Sequence, residues 1–175
     1  AGEWAEDGTS ICATPELQRK PRIATDGVGG AIVVWEDNRG GEYDIYAQRV
    51  DDLGNPLWNN NGVAVCSYSG SQRYPDVAPD GSGGAFIVWN DYRSEWTYDI
   101  YAQRIDADGN VQWTAGGIAI CTAEDYQYDP TVIYDGAGGA VVLWDDFRNL
   151  ASYDVFAQRV DGDGWHLQRH QPQDD

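Results

Sequence analysis

Tyr43–Asp51 reads YDIYAQRVD, and the stretch returns as YDIYAQRID at Tyr98–Asp106 and as YDVFAQRVD at Tyr153–Asp161. Ahead of each copy stands an apolar run with a charged end: AIVVWEDNR from Ala31, AFIVWNDYR from Ala85 and AVVLWDDFR from Ala140. Farther upstream an Asp-Gly pair recurs at Asp26-Gly27, Asp80-Gly81 and Asp135-Gly136. Cys12, Cys66 and Cys121 keep spacings of 54 and 55 residues, and Trp4, Trp58, Trp113 and Trp165 form a series spaced by 54, 55 and 52. Self-similarity at this period over nearly the whole chain is the mark of a repeat architecture.

Each repeat reads as four strands. In the middle copy a short strand, Pro75–Pro79, leads to an Asp80-Gly81-Ser82-Gly83 turn and the strand Ala85–Asp91. A polar loop, Tyr92–Thr97, leads to the strand Tyr98–Asp106. After a turn at Ala107–Asn110, Val111–Trp113 and Gly117–Cys121 make a kinked last strand. Ala85–Trp89 is apolar at every position, so both of its faces should be covered. That suits a sheet held between two neighbours.

Four-stranded units of about 50 residues in tandem point to propeller blades. The order of Pro-led strand, Asp-Gly turn, apolar strand and polar-aromatic strand resembles NHL- and kelch-type blades. The W-x-D-x-R…YDIYAQRVD pattern is similar to tandem repeats of secreted bacterial proteins of unassigned function, over about residues 4–165. The resemblance implies an all-β propeller fold and an extracellular or cell-surface setting, and it implies no activity. The first repeat departs from the pattern at Asp51-Asp52-Leu53-Gly54, where the others have Asp-x-Asp-Gly.

The phase of the repeats divides the chain into blade 1 (13–66), blade 2 (67–121), an incomplete blade 3 (122–165) and a polar tail (166–175). Blade 3 lacks a fourth strand. A spare one stands at the other end, because Trp4–Cys12 matches Trp58–Cys66. The expected fold is therefore three four-stranded antiparallel blades, the last completed by residues 1–12 of another subunit. Trp4, Ile11, Cys12, Asp161 and Trp165 are the candidate assembly residues. Three blades are too few to close a propeller of about 4–8, so the chain should associate with itself head to tail.

Composition narrows the partners. Of 175 residues, 29 are acidic and 11 basic, a net charge of −18. Nucleic acid and anionic membrane surfaces both call for the opposite sign. No apolar run approaches the ~20 residues of a membrane span. A chain that begins at Ala1 rather than Met fits a processed, secreted protein. An odd count of three Cys cannot pair fully within one chain, and equivalent positions in successive blades should lie too far apart for disulfides, so buried free thiols are expected.

The sharpest polar constellation is the tier Trp35/Asp37/Arg39, Trp89/Asp91/Arg93 and Trp144/Asp146/Arg148. A flat ring beside charged donors and acceptors suits a sugar. The plainer reading is scaffold, with each Arg paired across its own hairpin, and its presence in every copy favours that. Arg49, Arg104 and Arg159 each follow a Gln in mid-strand, and each needs a carboxylate partner. Asp106-x-Asp108-Gly109 and Asp161-x-Asp163-Gly164 begin like calcium loops, but no Glu stands at the twelfth position, and hairpin turns explain them without a metal. Calcium is the one cofactor they leave open. His166 and His170 fall in the polar tail.

No Cys–His neighbourhood, G-x-S-x-G motif or metal cluster stands out. Paired carboxylates such as Asp145-Asp146 and Asp51-Asp52 leave a glycosidase as the enzymatic alternative. The sequence thus leads us to expect a non-catalytic extracellular subunit that self-assembles by strand donation into a ring or filament. The alternative is a multivalent carbohydrate-binding propeller with glycans as partners.

Overall fold

The computed structural model describes residues 4–165. The His166/His170 pair and the polar tail lie outside the described residues, as do residues 1–3 of the expected donated segment. The fold is all-β. Blade 1 holds β1 (Gln18–Thr25), β2 (Ala31–Asp37), β3 (Asp44–Val50) and β4 (Val63–Cys66). Blade 2 holds β5 (Gln72–Pro79), β6 (Ala85–Asp91), β7 (Asp99–Ile105) and β8 (Ile118–Cys121). Blade 3 holds β9 (Gln127–Tyr134), β10 (Ala140–Asp146) and β11 (Asp154–Val160). Each sheet is an antiparallel meander in sequence order, and the third has three strands among the described residues. Such sheets are consistent with propeller-type blades.

The first strand of each blade begins before its proline, earlier than the Pro75–Pro79 expectation. The strand crosses a bulge there, with the pairing slipping between Arg73 and Asp76 opposite β6. The residues before the prolines, Lys20, Tyr74 and Asp129, sit at φ 54°, 53° and 48°. Pairing then resumes, as a bulge permits. The last strand is also shorter than expected. Val111 makes only an isolated bridge to Ile105, and Trp113 leaves the sheet before β8 begins.

The core is two slabs between blades. Ile32, Val34, Ile45 and Val65 of blade 1 pack with Val77, Ile87, Trp89 and Ile105 of blade 2. Phe86, Val88, Ile100 and Ile120 of blade 2 pack with Val132, Val142, Trp144 and Val160 of blade 3. Strand β6, with a neighbour on each side, is buried at every residue, as its apolar run predicts. Burying a Val, Leu, Ile or Phe side chain contributes about 1.5–3 kcal/mol, so these slabs dominate the stability.

The outer faces of the stack show the same positions bare. Ile23 is 68% exposed, whereas its counterparts Val77 and Val132 are 8% and 5%. Val155 is 73% exposed, whereas Ile45 and Ile100 are 0%. The three thiols are free, as expected, but only Cys66 is fully buried. Burial pushes the Cys66 thiol up to about 12.

Candidate functional site

The Trp-Asp-Arg tier stands at the ends of β2, β6 and β10, where each strand turns into its hairpin. In blade 2, Trp89 Nε1–H donates to Asp91 Oδ2 at 2.7 Å. Arg93 donates from Nη2 to the same oxygen at 2.6 Å, and from its backbone N–H and Nε to Oδ1 at 2.9 and 2.8 Å. Asp37 and Asp146 receive the same four donors in blades 1 and 3. Each guanidinium lies over an aromatic ring of the next strand, at 3.8 Å from Tyr46, 3.7 Å from Tyr101 and 4.0 Å from Phe156.

Both oxygens of each carboxylate are therefore engaged twice, and Trp35, Trp89 and Trp144 are all buried. A Cβ added at Gly62 would lie 2.5 Å from the Trp35 ring, which marks how tightly the following segment covers it. At 4%, 0% and 5% exposed, these three rings offer no face broad enough for a pyranose to stack on, so the sugar-stacking role expected of them has no geometry to support it. Burial pushes the Asp146 carboxyl up, but hydrogen bonds from Arg148 and Trp144 outweigh it and hold the group at about 2.

A second tier joins strands to turns. Arg49, Arg104 and Arg159 pair with Asp26, Asp80 and Asp135. The same aspartates cap their turns; Asp26 Oδ1 accepts the Val28 and Gly30 N–H groups at 2.9 and 2.8 Å. Sequence reasoning asked for a carboxylate partner and did not name these, because a local Asp-Gly reads as a turn. The signal available was their fixed distance ahead of each Arg.

The expected calcium positions are hairpin turns. Asp106 Oδ1 accepts the Asp108 and Asn110 N–H groups, and Asp161 Oδ1 accepts those of Asp163 and Trp165. Among the described residues, no group of three or more His, Cys, Asp or Glu is placed to hold a metal. Trp165 proves not to continue the Trp4, Trp58, Trp113 series. It takes the turn position of Asn55 and Asn110, whose N–H groups bind Asp51 and Asp106 in the same way.

The remaining Trp series joins one blade to the next. Trp58 Nε1–H donates to Ala107 O at 3.0 Å, and Trp113 Nε1–H donates to Gly162 O at 2.9 Å. Trp4 repeats the contact on blade 1, donating to Asp52 O at 3.0 Å. Cys66 and Cys121 receive Arg93 and Arg148 of the following blade, and Cys12 receives Arg39 at 3.4 Å. Ile11 lines cavities of about 250 and 390 Å³ between this segment and β2, with Val33 in both.

No family model and no curated protein matches the chain. Among solved structures it is similar to an α-L-arabinanase of Penicillium chrysogenum complexed with arabinobiose. The identity is 15%, the TM-score 0.43, and the match covers 82% of this chain and 47% of that one. The chain thus spans about half the length of the structure it matches. That structure is an enzyme, which corrects the expectation of a non-catalytic protein drawn from the repeats.

Proposed function

We propose that this chain is a structural subunit that assembles head to tail, its N-terminal segment completing the third blade of the next copy, in an extracellular setting. One observation carries the reading. Trp4–Cys12 docks on blade 1 through the contacts by which Trp58–Cys66 docks on blade 2 and Trp113–Cys121 on blade 3. It has the place of a fourth strand, with no third strand of its own to pair with.

At the other end β11 has no fourth strand beside it among the described residues, and such an edge invites pairing. Among the described residues, one group at β11 and one on the N-terminal segment stand without the partners their counterparts have. Gln48 and Gln103 each accept a backbone N–H (from Trp58 and Trp113) and donate to a carbonyl of the same segment. Gln158 instead donates to Arg159 O. Gly62 and Gly117 lie against Trp rings, but nothing stands within 4 Å of where a Cβ of Gly8 would be.

The repeat register sets the joint. Ile45 pairs Cys66 and Ile100 pairs Cys121, so Val155 of one copy pairs Cys12 of the next. The contact is heterologous, so it closes into a ring or propagates as a filament.

A cross-link tests this. Directly opposed antiparallel residues have Cα atoms about 4.5–5.5 Å apart, within disulfide range. A Val155→Cys variant, mildly oxidised, should give a ladder of covalent oligomers on a non-reducing gel. Val155→Cys with Cys12→Ser should not. A single monomer band from the first variant would contradict the reading.

A further inference from the structure

The repeats are nearly identical, so the places where they differ are those freed from scaffold duty. Two such places lie on the first strands. Lys20, Tyr74 and Asp129 are one position, and Arg22, Asp76 and Thr131 are another. The first strands approach one another from blade to blade, whereas β4 barely reaches β7, so the first strands form the inner edge of the stack. All six residues line one polar cavity of about 340 Å³, with Pro75 and Pro130 completing its wall. That volume falls within the range of small-molecule sites, about 300–1,000 Å³.

The charges there are unspent. Eight arginines of the described residues are ion-paired, namely 19, 39, 49, 73, 93, 104, 148 and 159. The two described cations left without an ion pair are Lys20 and Arg22, and both face this cavity. In a chain of net charge −18 their placement together is not a solvated average. Arg22 donates only to the adjacent Pro21 carbonyl, at 3.2 Å. Asp76 uses Oδ2 to accept the Val132 N–H at 3.0 Å, which leaves Oδ1 for another donor. Lys20 Nζ lies 5.6 Å from the Tyr74 ring centroid, and that ring is 39% exposed. The left-handed bulge at Lys20, Tyr74 and Asp129 re-aims these side chains, a known use of bulges.

The geometry points to a binding site for an acidic saccharide on the inner edge of the stack. Lys20 and Arg22 take the carboxylate of a uronate unit through charge-assisted hydrogen bonds. Asp76 Oδ1, the Asp129 carboxylate and the Thr131 hydroxyl take sugar hydroxyls. The Tyr74 ring supplies an apolar surface for the pyranose. Carbohydrate recognition thereby falls to the positions that vary between blades, rather than to the closed Trp-Asp-Arg tier. The site lies within one chain and does not rest on the proposed assembly.

The test is titration calorimetry with three probes: trigalacturonate, the neutral galactotriose and the zwitterion glycylglycine. Trigalacturonate should bind, and galactotriose should bind at least about tenfold more weakly. Raising salt should weaken trigalacturonate binding. The Lys20→Ala/Arg22→Ala double variant and the milder Arg22→Gln should each reduce it, the double variant at least about tenfold. Both side chains are exposed and outside the ion-pair network, so the melting temperature should stay close to wild type. Absence of trigalacturonate binding, equal affinity for both saccharides, unchanged affinity in both variants, or preference for glycylglycine would each overturn the proposal.

Discussion

Asp91 is fully buried and accepts four hydrogen bonds, three of them from Arg93. Removing that arginine leaves a buried carboxylate uncompensated, at a cost of about 3–5 kcal/mol. Arg93→Ala should therefore lower the melting temperature markedly in a thermal scan. Arg93→Lys should recover little, because an ammonium cannot bridge both oxygens from one plane. An unchanged melting curve for Arg93→Ala would remove the scaffold role from this tier.

The neighbouring aspartates give a pH signature. Burial first, and the Asp91 charge second, push the Asp99 carboxyl up to about 6. Burial, then Asp37 and Glu42, do the same to Asp44, also to about 6. An unfolded Asp titrates near about 3.9. Between about pH 4 and 6 the folded chain thus holds protons that the unfolded chain has released, and stability falls as pH rises through that window. Asp146, held down at about 2, works oppositely: its stabilisation is full above about pH 4 and is lost as pH falls through 2. Melting temperature should accordingly peak near about pH 4. Asp99→Asn should flatten the fall toward neutrality, and an identical profile in that variant would contradict the assignment.

At this scale the sequence was legible where a motif carries its own partner. Trp, Asp and Arg two residues apart bond to one another, so the tier could be named from spacing. The partners of Arg49, Arg104 and Arg159 lie 23 or 24 residues away across the sheet, and no local pattern announces them. Trp165 was misplaced because a like residue at nearly the right spacing mimicked the series, while its hydrogen bonds belong to a turn.

Among elements, β11 differs from β3 and β7 in its surroundings, not in its sequence. DVFAQRV, DIYAQRV and DIYAQRI are close copies, yet β3 and β7 are mostly buried, whereas β11 buries only Val160. Val155→Asp tests what that exposure is for. In the isolated chain the side chain is already in solvent, so circular dichroism and melting should change little. In the assembly a carboxylate would be buried where Ile45 and Ile100 are, so sedimentation should report monomers. Val155→Asp oligomers of wild-type size would argue against strand donation at β11.

Strand number, order and the double-sided burial of β6 followed from the apolar runs. The inner bulges did not, because an X-Pro pair reads as an extended start rather than as the middle of a strand.

For the molecule as a whole, the proposed assembly would bring the two ends of the stack together. The leading face bares Ile23 and leaves Val33 half-buried beside the docked N-terminal segment, and the trailing face bares Val155 and Ile133. Asp145 stands exposed on β10, where its counterparts Glu36 and Asn90 accept the bulge N–H groups of Tyr74 and Asp129 in the following blade. In the proposed assembly the N–H of Lys20, beside Arg19, would be the matching donor on the next copy. Two chains of three blades would make a ring of six, within the propeller range of about 4–8.

Deleting residues 1–12 should leave monomers or amorphous aggregate in place of the assembly, read by light scattering. The proposed strand donation was legible in the phase of the repeats. The pairing of Trp4 and Cys12 with blade 1 was not, since it depends on contacts between blades that share no sequence neighbourhood.

Native mass spectrometry of the wild-type protein across a range of concentrations tests head-to-tail assembly most directly. The account predicts particles at multiples of the 19.3 kDa chain, with the N-terminal deletion reduced to the single mass. A wild-type protein that remains at 19.3 kDa at every concentration would contradict it.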